Sequence, residues 1–471
     1  MGGGLLQLIA VGQIDEYLSI NPELSFYQYV FKRHTNFAME SRNLKFDKKP
    51  TLSPDTTTNT VDCVITRHGD LLGQLYFCFT LPDIYSSDQY RFQWVKNVGN
   101  IAVKKATVFI DGTQIDQTTG EWMNVWNELS LPSGDTKYDQ MIGNVPEMQT
   151  PRTSRDRVTI KNNKFQYFYY PETTKESNIP SIRSRQVMFP LNFWFTKKPS
   201  LALPLLRLQF NVVKITIEME SSEKLYQVYS KDLEMFVSPS YYNEIHNEQI
   251  NINTFVKEFS LDPYVEANYI FLAEEERNTL FMKSKLTYLV EQLNITSSQT
   301  MLSTSSASTN INITTNNPTK ELIWTTTRDD INKYNDFMNY SPDIPETTRG
   351  ILEKAQIRFY NNDRIEEKSA EYFNMIQPYQ YHSKVPRQGI YSYSFSLYPE
   401  KEFLSGYYNA ALVNTNLYVY SKDIYNNDYV NKKLEKLELE PYLFNFLVNV
   451  YAITYNIFEI VGNQSGMKFA N

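Results

Sequence analysis

ATVFIDGTQIDQTTGEWMN, Ala106 to Asn124, is matched in the second half of the chain by AQIRFYNNDRIEEKSAEYFN, Ala355 to Asn374. Ile115, Glu121, Trp122 and Asn124 correspond to Ile365, Glu371, Tyr372 and Asn374, each pair 250 residues apart. Ala106 maps to Ala355, so one extra residue separates strand from turn in the second copy. Both copies read as strand, turn, isoleucine, then a short helix opening on Glu-aromatic. In the first copy the strand meets Asp111-Gly112, a hairpin-turn dipeptide. A second correspondence follows. Val187 to Phe195, a Pro-broken link and the strand Leu208 to Glu218 are echoed by Gly389 to Leu397, a link and the strand Ala411 to Tyr420. The order of elements recurs, which predicts two copies of one domain. An N-terminal arm covers 1–24, the first copy 25–240 and the second 241–471. Each copy is of ordinary single-domain size, about 200 residues.

Around these stretches the hydrophobic period is two rather than 3.6. Leu75 to Phe79 reads as a buried strand ending at Pro82. Leu208 to Glu218 and Leu443 to Ile460 read as long strands. Tyr391 to Leu397 alternates strictly, which predicts one buried and one more open face. Strands separated by Pro, Gly and Asn turns predict sandwiches or barrels. Helices are few: Trp122 to Leu129, Ser369 to Ile376 and Glu274 to Met282. Two polar stretches, Pro132 to Pro180 and Ser297 to Pro318, read as long loops, with a shorter one at Pro50 to Asn59.

Composition agrees. The chain has 471 residues, 41% hydrophobic and 21% charged, so it sustains a packed core. The 35 Tyr and 28 Phe favour half-buried pleated surfaces. A net charge of -7 lacks the cation surplus of a genome-coating protein, so direct nucleic-acid binding is not expected. Cys63 and Cys78 lie in apolar runs and read as buried thiols suited to a reducing compartment. The N-terminus lacks the cationic region of a secretory signal, and Leu6 stands where myristoylation wants Ser or Thr. No apolar run reaches the roughly 18 residues of a membrane span. The nearest, Phe446 to Gly462, is broken by Asn449, Thr454, Asn456 and Glu459.

Five stretches, in order along nearly the whole chain, carry a resemblance. They are GGGLLQLIAVGQIDEYLSINPELSFYQYVFKRHTNFAMES (Gly2 to Ser41), VFIDGTQIDQTTGEWMNVWNEL (Val108 to Leu129), FPLNFWFTKKPSLALPLLRLQFNVVKITIE (Phe189 to Glu218), NNPTKELIW (Asn316 to Trp324), and YSYSFSLYPE (Tyr391 to Glu400) with the closing VNVYAITYNIFEIVGNQSGMKFAN. The chain resembles the major capsid proteins of nucleocytoplasmic large DNA viruses, the phycodnavirus, iridovirus and mimivirus-like group. The long loops match less closely. The resemblance implies an all-β fold of two consecutive eight-stranded jelly rolls with a few short helices. It implies a homotrimer that forms a pseudo-hexagonal capsomer, packs against neighbouring capsomers in an icosahedral virion shell, and assembles in the host cytoplasm. Two similar domains in each of three chains give six similar wedges, which fit a hexagonal lattice site. The polar loops are then candidates for the outer face or a clasp between subunits. The arm, with Leu5, Leu6, Leu8 and Ile9 before a first strand expected near Phe26, is implied to lie beneath the capsomer. There it would meet minor capsid proteins or the inner viral membrane. Lys32-Arg33-His34 is expected to face solvent.

Chemistry-bearing motifs do not compete with this reading. His34, His68, His246 and His382 show no metal-ligand spacing, and no HExxH, GxSxG or GxxxxGK occurs. No cofactor, metal or catalytic residue is expected. Asp329, Asp330 and Asp336 read as a solvated turn, lacking the Gly and closing Glu of a calcium loop. Glu121 and Glu371 sit in separate domains and so do not form one acid/base pair. Sequons occur at Asn294, Asn312, Asn339 and Asn463, of which Asn312 and Asn294 are the candidate glycan sites. Two alternatives are a minor or specialised double jelly-roll capsid paralogue and, from another class, a carbohydrate-binding or hydrolytic β-sandwich. The latter predicts an exposed aromatic platform or paired carboxylates in one cleft.

Overall fold

In the computed structural model, residues 3–13, 19, 21–29, 31–50, 59–132, 136–151, 172–302, 308–401, 403–422, 434–435 and 444–469 are described. Asp111 and Gly112 both take positive φ, 50° and 79°, so the dipeptide closes a two-residue hairpin between β5 (Val103–Ile110) and β6 (Thr113–Thr118). Around this hairpin stand β1 (Phe37–Lys45), β2 (Asn59–Val64), β3 (Leu71–Leu81), β4 (Phe92–Trp94), β7 (Arg185–Pro190), β8 (Val213–Met219), β9 (Tyr226–Ser230), β10 (Met235–Val237) and β11 (Tyr264–Leu272). The second half supplies β12 (Lys285–Met301), β13 (Ser308–Ile313), β14 (Pro318–Arg328), β15 (Leu352–Phe359), β16 (Asn362–Ser369), β17 (Ile390–Ser394), β18 (Tyr408–Asn409), β19 (Thr415–Ser421), β20 (Phe446–Val461) and β21 (Gln464–Met467).

The pairing reveals the doubling. The first half forms the sheets β1-β11-β3-β7 and β2-β8-β5-β6, and the second forms β12-β20-β14-β17 and β13-β19-β15-β16. With the short strands β4, β9, β10, β18 and β21 set aside, each half has eight strands. In both, the spatial order is first-eighth-third-sixth over second-seventh-fourth-fifth, all antiparallel. This is the jelly roll, twice. Alternation fills each sandwich. Val61, Cys63, Phe77, Phe79, Val108, Ile215 and Ile217 pack the first core, and Ile311, Leu322, Trp324, Ile357, Leu417 and Val450 the second. Burial pushes the Cys63 thiol up to about 12 and Cys78 to about 11, with nearby carboxylates adding to both.

Several expectations are corrected. The first strand among the described residues begins at Phe37, not near Phe26, which is 91% exposed. Residues 241–273, assigned to the second copy, pack with the first. β11 inserts between β1 and β3, pairing with partners some two hundred residues upstream. The strand expected over Leu208 to Glu218 starts only at Val213, because turns at Leu205–Leu208 and Leu208–Asn211 precede it. The long strand near the C-terminus begins at Phe446. The extra residue of the second repeat lies past the turn, inside β16. There the pairing with β15 has two register shifts where β5–β6 has one, the signature of β-bulges. Ser297 to Pro318 is not a loop: β12 runs to Met301, and β13 alternates solvent-facing Ser/Thr/Asn with buried Ile311 and Ile313. Pro132 to Pro180 contains the short helices Lys137–Met141 and Pro146–Gln149. Residues 51–58, 133–135, 152–171, 303–307 and 443, on which parts of the loop and strand expectations fall, lie outside the described residues.

Of the helices, Glu274–Met282 and Gly120–Ser130 form where expected. The stretch expected as a helix over Ser369 to Ile376 contains a π-turn, Tyr372–Ile376, and runs on into Gln377–Tyr381. Thr119 starts Gly120–Ser130, its hydroxyl accepting from Trp122 N at 3.2 Å.

Candidate functional site

The helix Gly120–Ser130 follows the first repeat's hairpin and seals the two rolls together. Its Trp122, Val125 and Leu129, with Trp126 partly buried beside them, meet Leu293, Ile323, Ile390, Tyr451 and Ile453 on the outer face of the β12-β20-β14-β17 sheet. Trp122 packs on Tyr451 at 5.2 Å between ring centroids. This contact corrects the reading of Tyr391 to Leu397: all five residues of β17 are buried. One face, with Tyr391 and Tyr393, enters the second core, while Ile390 enters the seam. β14 is buried almost throughout for the same reason.

A rim of charge locks the seam. Glu128 accepts from Arg387 at 2.7 Å and Lys384 at 3.3 Å. Burial alone would raise the Glu128 carboxyl, but the two cations hold it below its usual range. Glu121 accepts from Asn449 at 2.8 Å, and Gln292 donates to the Ile115 carbonyl at 3.0 Å. Lys197 from the first roll and buried Lys320 from the second share Glu291. Against the upward push of burial, the pair brings the Glu291 carboxyl down to about 2.

Behind the seam, His382 is wholly enclosed. Its Nε2 lies 2.5 Å from Glu321 Oε1, itself fully buried, and its Nδ1 lies 3.2 Å from Glu400 Oε1. Burial alone would lower the imidazole, but the two carboxylates hold it up to about 9, so it is a cation at neutral pH. Nothing local in the sequence signals this triad, because its members come from β14, the end of a helix and a loop. The acidic cluster also differs from expectation. Asp330 is not solvated; it receives Arg328 bidentately at 2.8 and 2.7 Å, and Arg328 lies over Phe444 at 3.5 Å. Glu121 and Glu371 stay apart, Glu371 lying 3.8 Å from Lys422. Among the described residues no group of three His, Cys, Asp or Glu is placed to hold a metal ion.

The remaining expected positions lie on the surface. The helix Gly3–Ile9 presents Leu5, Leu6, Leu8 and Ile9 with no described residue of it buried. Leu24, Phe26, Tyr27, Tyr29 and Phe31 follow, all exposed, as is Lys32-Arg33-His34. Asn312 is exposed on β13. Asn294 is half-buried in β12, its amide nitrogen donating to Thr454 Oγ1 at 2.8 Å. No helix among the described residues is long and apolar enough to cross a membrane.

Two jelly rolls fused in tandem and locked along a buried seam define the double jelly-roll class of shell-building proteins. A family model described as major capsid protein N-terminus matches residues 25–273, and one described as large eukaryotic DNA virus major capsid protein matches 276–466. Their junction falls where β11 ends. The major capsid protein of Pyramimonas orientalis virus is 28% identical over the whole of both chains. Capsid protein 1 of Acanthamoeba polyphaga mimivirus is 31% identical over 74% of this chain and 52% of its own length. The fold matches a quasi-atomic model of the PBCV-1 virus capsid with a TM-score of 0.69 at 23% identity, covering 95% of this chain and 100% of that one. The chain belongs to the family of large eukaryotic DNA virus major capsid proteins. Its function is structural, as a capsid protein of the virion, and not enzymatic.

Proposed function

We propose that three copies of this chain close into a trimer with pseudo-hexagonal outline, the capsomer, which tiles an icosahedral shell against neighbouring capsomers. The observation that carries this is the identical strand order of the two rolls, which makes three chains into six similar wedges. Exposed apolar side chains in contiguous groups support it, since a solitary soluble chain seldom presents them. Light scattering coupled to size-exclusion chromatography is expected to give three times the 55.2 kDa chain mass. A monomer at micromolar concentration would sink this reading.

The arm lies beneath the capsomer in this proposal. Leu5, Leu6, Leu8 and Ile9 supply an apolar contact for minor capsid proteins or the inner viral membrane. Removing residues 1–24 is expected to leave the chain trimeric while abolishing flotation with liposomes. Equal flotation of the full and shortened chains would exclude the membrane contact. Asn312 is the better glycan position, because the Asn294 nitrogen is already engaged. Assembly in the host cytoplasm accords with the two buried, unpaired thiols, and the net charge of -7 speaks against direct contact with the genome.

A further inference from the structure

The internal repeat extends through the seam helix. At the same offset of 250, Trp122, Val125, Trp126 and Leu129 correspond to Tyr372, Met375, Ile376 and Tyr379. Their fates diverge. Trp122, Val125 and Leu129 are buried against the second roll, at 7%, 0% and 0% exposure. Met375, Ile376 and Tyr379 stand open at 47%, 48% and 81%. With Val385 and Pro386 they line an open hollow of about 880 Å³. Polar residues, among them Glu346, Thr347 and Arg387, share its lining, and it occupies the position that, one repeat earlier, is buried in the contact between the rolls.

The surface that receives the first helix also has a counterpart. Within the chain, the acceptor is the outer face of β12-β20-β14-β17. The sheet in the same position of the first roll is β1-β11-β3-β7. Its inner face, with Leu75, Phe77, Val265 and Phe189, enters the core. Its outer face presents Phe37, Met39, Tyr76 and Met188 among Ser41 and Gln74. Glu266 and Asn268 of β11 lie on the same face, bonded to Ser41 and Gln74, while Phe37 and Met39 leave more than half of their surface open.

We propose that residues 370–385 of one copy dock on the outer β1-β11-β3-β7 face of the next, repeating between chains the seam that Gly120–Ser130 makes within one. This rests on the trimer reading and specifies its contact. The ring then alternates covalent and non-covalent versions of one interface. The two versions differ in a way the sequence explains. Pro378 stands where the first copy has Glu128, the residue that anchors Arg387 and Lys384. The inter-chain seam therefore lacks that ionic lock and depends on its apolar residues, which suits a contact formed after folding.

The test compares the full chain with the triple variant M375D/I376D/Y379D by light scattering over a dilution series. Three buried charges at the centre of an interface are expected to raise the concentration at which trimer dissociates about a hundredfold or more, with the thermal unfolding of the subunit unchanged. Tyr76→Asp on the acceptor face is expected to act in the same direction. A variant as firmly trimeric as the parent would overturn the proposal. So that a folding defect does not decide the matter, Met375 oxidation by dilute peroxide is read in the unmodified trimer. Protection at least tenfold below an exposed methionine supports the contact, and full lability overturns it. A trimer with labile Met375 defeats this inference alone; a parent chain that never trimerises defeats the trimer reading with it.

Discussion

Replacing Gly120 with alanine is expected to destabilise the chain by on the order of 3 kcal/mol or more, far beyond the usual cost of a surface substitution. A Cβ at Gly120 would lie 2.0 Å from the Asn100 carbonyl oxygen and 2.5 Å from that of Val103. Both are backbone atoms, so no side-chain rotation relieves the overlap. The helix start must move away from the hairpin that feeds it, and Trp122, Val125 and Leu129 then lose their register on the second roll. Thr119→Ala, which removes the cap and leaves the close approach intact, is the control, at about 1 kcal/mol. Urea denaturation followed by tryptophan fluorescence measures both. Equal midpoints for the two variants would show that the close approach does not govern the seam.

The second large effect concerns His382. Replacing it with alanine leaves Glu321, which has no exposure, as an uncompensated buried charge, at a cost of roughly 3–5 kcal/mol. The same pair sets a pH dependence. The imidazole of His382 is raised in the folded chain to about 9 from its ordinary value of 6.5. A raised cation stabilises the fold fully below pH 6.5, and its contribution is lost as pH climbs through 9. The loss over that window is on the order of 3 kcal/mol. His382→Gln, which has no proton to lose, is expected to flatten the curve of stability between pH 6.5 and 9. The difference between parent and variant isolates this group from other titrations. Parallel curves would refute the role assigned to the buried imidazolium.

What was legible in the sequence was local. The turn at Asp111-Gly112, the capped helix after it and the offset linking Ile115 to Ile365 all lie within a few residues of one another. Their spacing therefore exposes both a hairpin and its copy. What was hidden is non-local. β11 sits in the first sheet by pairing with β1, across a span where residues 41 and 268 are neighbours in space but not in sequence. Any division of the chain by composition therefore fell too early. β13 was missed because only two of its six residues, Ile311 and Ile313, point inward, and the polar remainder imitates a loop. Phe26, Tyr27 and Tyr29 misled in the opposite direction. Their aromatic rings resemble a strand's buried face, although they stand exposed ahead of β1. The Glu321–His382–Glu400 triad gathers side chains from distant segments and left no motif.

The junction between the rolls has a consequence for the order of assembly. β11 ends at Leu272 and β12 begins at Lys285, so a short connection, mostly the helix Glu274–Met282, joins them. A tether of that length holds each roll before the other at an effective molarity on the order of millimolar. The seam inside a chain closes by an intramolecular search, indifferent to how much protein the cell contains. Contacts between chains enjoy no such tether and answer to mass action. One stretch of polypeptide thus separates two kinetic regimes: closure of the seam within a chain, which is independent of abundance, and contacts between chains, which build up only with concentration.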